Sequence, residues 1–108
     1  MEGRSLKPIV FLGDALDQLR VFPERARKEA GVQLHKVQQG LEPSDWKPMR
    51  TVGVGTAEIR IHDKSGAFRV IYVADREDAV YVLHAFQKKA ERTPKRDLEL
   101  AAERLRKI

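Results

Sequence analysis

Basic side chains and a histidine recur in this chain inside or at the ends of segments that alternate like β-strands. Arg60 lies in residues 57–61 (AEIRI) and Arg69 in residues 68–74 (FRVIYVA). His84 falls in residues 79–86 (AVYVLHAF), with Lys88 and Lys89 directly after it. Lys64 stands in the polar connection between the first two segments, and Arg92 follows the last. Successive side chains of a strand point to opposite faces of its sheet. Glu58, Arg60 and His62 therefore share one face, with Ile59 and Ile61 on the other. In the second segment Arg69, Ile71 and Val73 oppose Phe68, Val70 and Tyr72, which leaves Arg69 as a lone charge in an apolar run. A charge there is costly to bury unless it has a partner or an anion to bind. Cations on one surface and at the ends of a small sheet make an anion-binding patch. His84, with an unperturbed pKa of about 6.5, adds a group able to give or take a proton near neutral pH.

Each of these residues also has a plainer reading. Arg60 and Arg69 can pair with Glu58, Asp63 or the acidic turn at residues 75–78, His84 can be a hydrogen-bonded structural histidine, and Lys88 and Lys89 a solvated strand end. His35 and His62 read as solvent-facing, and three scattered histidines lack the spacing of metal ligands. Tyr72 and Tyr81 read as sheet packing rather than base-stacking groups.

The elements that must position these groups follow from periodicity. Residues 56–89 read as a meander of three antiparallel strands separated by DKSG and DRED. Upstream, residues 7–12 read as a first strand ended by Gly13-Asp14, with Asp14 able to cap a helix. Ala15, Leu16, Leu19 and Phe22 recur at helical spacing, and Pro23 suits the first position of a second helix. Ala26, Ala30, Leu34 and Val37 form the apolar stripe of that helix and Gly40 its C-terminal cap, while Gly31 invites a kink. Residues 40–55, with Pro43, Pro48 and the only tryptophan, Trp46, read as a loop anchored by that ring. Thr93 is expected to cap a closing helix with Pro94 as its first residue and Leu98, Ala101, Ala102 and Leu105 as its stripe. The order strand, two helices, three strands, helix describes an α+β domain: a small antiparallel sheet with two N-terminal helices on one face and a C-terminal helix. The opposite face is expected to stay free for binding.

The 108 residues suit a single domain, 1–108. The absence of cysteine excludes a disulfide framework and a thiolate site. No apolar run approaches the ~20 residues that span a bilayer, and the N-terminus lacks the pattern of a signal peptide, so a cytoplasmic address is the default. The net charge of +5 favours polyanionic partners, nucleic acid or the ribosome among them.

The strings AEIRI, FRVIYVA and YVLHAFQKK, followed by Thr93-Pro94 and an Ala- and Arg-rich helix, resemble the RelE/HigB-type toxins of bacterial type II toxin–antitoxin modules, in particular the phage-derived RelE-like branch. The resemblance implies helices against an antiparallel sheet and cleavage of messenger RNA at the ribosome, without metal or other cofactor. It also implies a cognate antitoxin, often a helix-turn-helix protein. It suggests Arg69 as the group that holds the scissile phosphate, with Lys89 and Arg60 as further cations, His84 as acid or base, and Lys88, Lys64 and Arg92 on the RNA-binding surface. Metal-free cleavage by attack of the 2′-hydroxyl needs a proton acceptor, cations for the phosphorane charge and an acid at the leaving 5′-oxygen. Residues 91–108 carry neither the tyrosine nor the histidine that some relatives use there, so acid and base stay open. The alternatives are a non-catalytic module of the same fold, either a degenerate toxin or a gyrase poison, and a phage structural accessory.

Overall fold

In chain order the computed structural model contains β1 (Ile9–Phe11), α1 (Ala15–Arg20), α2 (Glu24–Gln38), β2 (Trp46–Pro48), β3 (Thr56–Asp63), β4 (Gly66–Val73), β5 (Val80–Lys88) and α3 (Lys95–Leu105). It describes residues 6–108, so the signal-peptide reading of residues 1–5 lies outside the described residues. The strands form one sheet in the order β1-β5-β4-β3-β2, with β1 parallel to β5 and the other pairs antiparallel. Among the described residues no helix is long and apolar enough to cross a membrane, and no group of three or more His, Asp or Glu could hold a metal ion.

The alternation of β3 and β4 builds the first layer. Ile59, Ile61, Phe68, Val70 and Tyr72 face α1 and α2, whose Ala15, Leu19, Ala26, Ala30, Leu34 and Val37 close the main core. Phe22 and Phe68 meet within it, ring centroids 4.8 Å apart. α2 runs unbroken through Gly31, which lies on its exposed side. It ends as expected: Gly40 takes a φ of 85°, its N–H donates to Val37 O, and Leu41 N–H donates to Lys36 O. Pro23 and Pro94 stand one residue earlier than expected, at the caps of α2 and α3. Thr93 makes no capping hydrogen bond.

Two expectations need correction. The stretch taken wholly as a loop contains an edge strand, β2, in which Trp46, Lys47 and Pro48 pair with Ile59, Glu58 and Ala57. Its proline is tolerated because an edge strand has no neighbour needing that N–H. The second sheet face, expected to be free, is partly covered. Ile71, Val73, Leu83 and Phe86 meet Met49, Val52 and the α3 residues Leu98, Ala101, Ala102 and Leu105. The register between β4 and β5 shifts at Ile71/Tyr72, leaving Leu83 as the extra residue, and this apolar end of the face needs a cover.

Candidate nucleic-acid interface

Register fixes which charges share the second face. Arg60, Arg69 and Phe86 form one cross-strand row, and Lys47, Glu58, Ile71 and His84 the adjacent one. Like charges directly opposite destabilise a pair of strands, and Glu58 supplies the compensation. Arg69 is 3% exposed and Glu58 1%. The Arg69 Nε lies 3.5 Å from Glu58 Oε1, and its Nη1 donates to Phe68 O at 3.0 Å. Burial pushes the guanidinium below its ordinary pKa, Glu58 pulls it back up and Arg60 opposes that pull. Arg69 is therefore an interior ion-pair partner. The expectation that it presents its fork on an open surface is corrected, because a charge in mid-sheet needs a counter-charge and Glu58 is the one in reach.

His84 requires the same correction. Its ring is buried, stacks on Phe86 at 5.0 Å between centroids, and places Nε2 2.6 Å from Asp97 Oδ1 in the first turn of α3. Arg104 makes a second tie, donating to Leu83 O at 2.9 Å and to Asp14 Oδ1 at 2.7 Å. Asp14 thus sits at the cap of α1 without capping it, and the guanidinium holds its carboxyl below the usual range. These two ties fasten α3 over the sheet and place His84 beneath it rather than at a surface.

A positive hollow exists nearby, built from other residues. Lys47 of β2, Arg50 of the following loop, Lys88 at the end of β5 and Arg92 before α3 line a cavity of about 610 Å³, together with Met49, Leu98 and Thr93. Glu91 is the one carboxylate on its wall. Four cations around a concave surface raise the local concentration of phosphate, and the apolar residues beneath give it a firm base. The alternation of β2 turns Lys47 to the same face as Glu58.

Of the expected site residues, Lys88 and Arg92 meet in this hollow. Lys89 is exposed beside it without lining it. Arg60 is half-buried and lines a separate hollow with Arg25, Asp45 and His62, and Lys64 lies at the β3–β4 turn near Arg25 and His62. Neither lines the hollow that holds Lys88. Lys47 carries no sequence signal because a three-residue strand has no readable period, and Arg50 none because it lies in the loop that follows; two cations flanking Pro48-Met49 beside a tryptophan are the only signal available. Neither tyrosine enters the hollow: Tyr72 is buried, its hydroxyl pushed up to about 12 by burial, and Tyr81 donates to Asp78 at 2.6 Å.

Comparison with known proteins finds a family and a fold. A family model described as "Phage derived protein Gp49-like (DUF891)" matches residues 17–106. No curated protein sequence matches the chain. Among solved structures the chain is similar to the free state of the E. coli toxin RelE carrying two arginine-to-alanine replacements. The two share 18% identity at a TM-score of 0.64, over 96% of this chain and 99% of that one. At that identity the likeness is one of fold.

Proposed function

This chain belongs to the phage-derived Gp49-like family, a family of RelE/HigB-type toxins, and from that membership we propose that it cuts messenger RNA on the ribosome as the toxin of a toxin–antitoxin module. The observation that carries this reading is the hollow lined by Lys47, Arg50, Lys88 and Arg92. In this proposal residues 1–108 act as one cytoplasmic toxin domain held in check by a cognate helix-turn-helix antitoxin. The exposed cations dock on ribosomal and messenger phosphates, releasing counterions. The arginines of the hollow hold the scissile phosphate and its developing charge in two-pronged fashion. The 2′-oxygen attacks phosphorus, the bond to the 5′-oxygen breaks, and the products are a 2′,3′-cyclic phosphate and a 5′-hydroxyl. No histidine or tyrosine lines the hollow, so proton transfer falls to Glu91 as acceptor and to the ammonium of Lys47 or Lys88 as donor. Arg69 and Glu58 act from below by fixing the strands that carry Lys47 and Lys88.

The burial of Arg69 and His84 favours a second reading, a non-catalytic module of this fold that poisons gyrase. Induction in cells followed by primer extension separates the two. The proposal expects growth arrest with cuts within translated messages, and loss of both in a Lys47→Ala/Lys88→Ala variant at matched protein level. Arrest accompanied by DNA damage and intact messages would overturn it in favour of the gyrase reading.

A further inference from the structure

The alternation of β2 sends Lys47 toward the positive hollow and Trp46 and Pro48 toward the opposite face. On that side lies a second groove of about 410 Å³, lined by Trp46, Pro48, Val54 and Ala57 together with Arg50. Pro48 and Arg50 line both cavities, so the edge strand is a low ridge between a cationic hollow and an aromatic groove. Val54 is 89% exposed, yet the loop that carries it is held firmly. The Thr56 hydroxyl lies 2.6 Å from both Met49 O and Gly53 O, Met49 N–H donates to Thr56 O, and Met49 and Val52 are rooted in the core. An exposed apolar side chain on an anchored loop, lining one groove with a half-buried tryptophan, is a surface built to be covered.

We propose that this groove takes an unpaired nucleobase of single-stranded RNA whose neighbouring phosphates lie in the cationic hollow, an inference that rests on the RNA-cleaving reading above. Charge complementarity selects the occupant. The cations next door call for a polyanion, and the groove beside them accepts the flat π-face of a ring. Single-stranded RNA carries both at every nucleotide. Duplex RNA does not, because its base faces are stacked away. Stacking on Trp46, with Arg50 lining the same groove, binds any base, since every base has a π-face.

Trp46 is the sole tryptophan, so the tryptophan emission of the intact protein comes from this residue alone. The test titrates the full chain with a single-stranded RNA hexamer and, separately, with linear polyphosphate of equal charge, following Trp46 emission and the anisotropy of labelled RNA. The proposal expects RNA to quench Trp46 and polyphosphate to leave it unchanged. Trp46→Leu should weaken RNA binding about tenfold or more, with polyphosphate affinity unaltered. Val54→Ser, a change at an exposed position that spares the core, should weaken RNA several-fold. RNA binding with unchanged Trp46 emission, or equal RNA affinity in both variants, would overturn the subsite while leaving message cleavage standing. Quenching by RNA in a protein that cuts no message would uphold the subsite and remove the cleavage reading. No binding of RNA at all would overturn the subsite.

Discussion

Replacing Arg69 with alanine should strongly destabilise this protein rather than merely disarm it. Arg69 and Glu58 are 3% and 1% exposed, with Nε and Oε1 3.5 Å apart. At that separation and an effective dielectric of about 20, their attraction is about 5 kcal/mol. Truncating the arginine leaves the Glu58 carboxylate buried without its counter-charge, and breaking a buried pair from one side costs about 3–5 kcal/mol. A domain of this size has about 5–15 kcal/mol in all. At about 4–8 °C per kcal/mol, the melting temperature should fall by at least about 12 °C. Glu58→Gln/Arg69→Met removes both charges and should recover most of the loss, because replacing a buried pair by neutral groups of similar volume is often close to neutral. Circular-dichroism melts of wild type, Glu58→Gln, Arg69→Met and the double variant close the thermodynamic cycle, with Arg69→Ala melted alongside. An Arg69→Ala protein melting within about 3 °C of wild type would refute the interior ion pair, and so would a double variant as unstable as the two singles summed. If the cycle holds, relief of growth arrest by Arg69→Ala alone reports lost folding. Tests of the chemistry then belong to the exposed cations.

The same physics sets other expectations. His84→Gln should lower the melting temperature by loosening α3 from Asp97, yet leave cleavage per folded molecule unchanged; a loss of cleavage at full stability would restore His84 as a proton-transfer group. Tyr72 ionises at about 10 when unfolded and about 12 when folded. Because the folded value is the higher one, the stability it adds is fully present below pH 10 and fades as the pH rises to about 12. That amounts to about 3 kcal/mol, and alkaline melts of Tyr72→Phe should be flatter across this window. Lys47→Ala and Arg92→Ala should each reduce the slope of log affinity for single-stranded RNA against log salt by about 0.7, as expected for one phosphate contact apiece; an unchanged slope in both would show that the hollow does not engage the backbone.

Most of the architecture was legible in the sequence because two periods dominate it. The alternation of Ile59, Ile61, Phe68, Val70 and Tyr72 specifies a sheet with one helix-covered face, and the stripe from Ala26 to Val37 supplies the cover. The stripe of α3 was equally readable, but nothing local says which surface it seeks. Its partners Met49, Ile71, Val73 and Leu83 come from three separate stretches. That packing changes the meaning of the strand charges. Arg69 and His84 stand out in sequence as polar groups in apolar runs, and the pattern is the same whether such a group meets a ligand or a buried partner. Here Glu58 and Asp97 decide, one from a neighbouring strand and one from thirteen residues downstream. The reading that paired Arg69 with Glu58 was available from the shared face. Lys47 was hidden for the opposite reason, since a three-residue edge strand carries almost no periodic signal, and Arg50 because it lies in the aperiodic loop after it.

Single-turnover cleavage of a message held in the decoding site of purified ribosomes tests the role of the hollow most directly. The Lys47→Ala/Lys88→Ala protein, verified to melt with the wild type, should cut at least a hundredfold more slowly, while Lys64→Ala should cut at the wild-type rate. Equal rates for wild type and the Lys47/Lys88 variant would contradict the account.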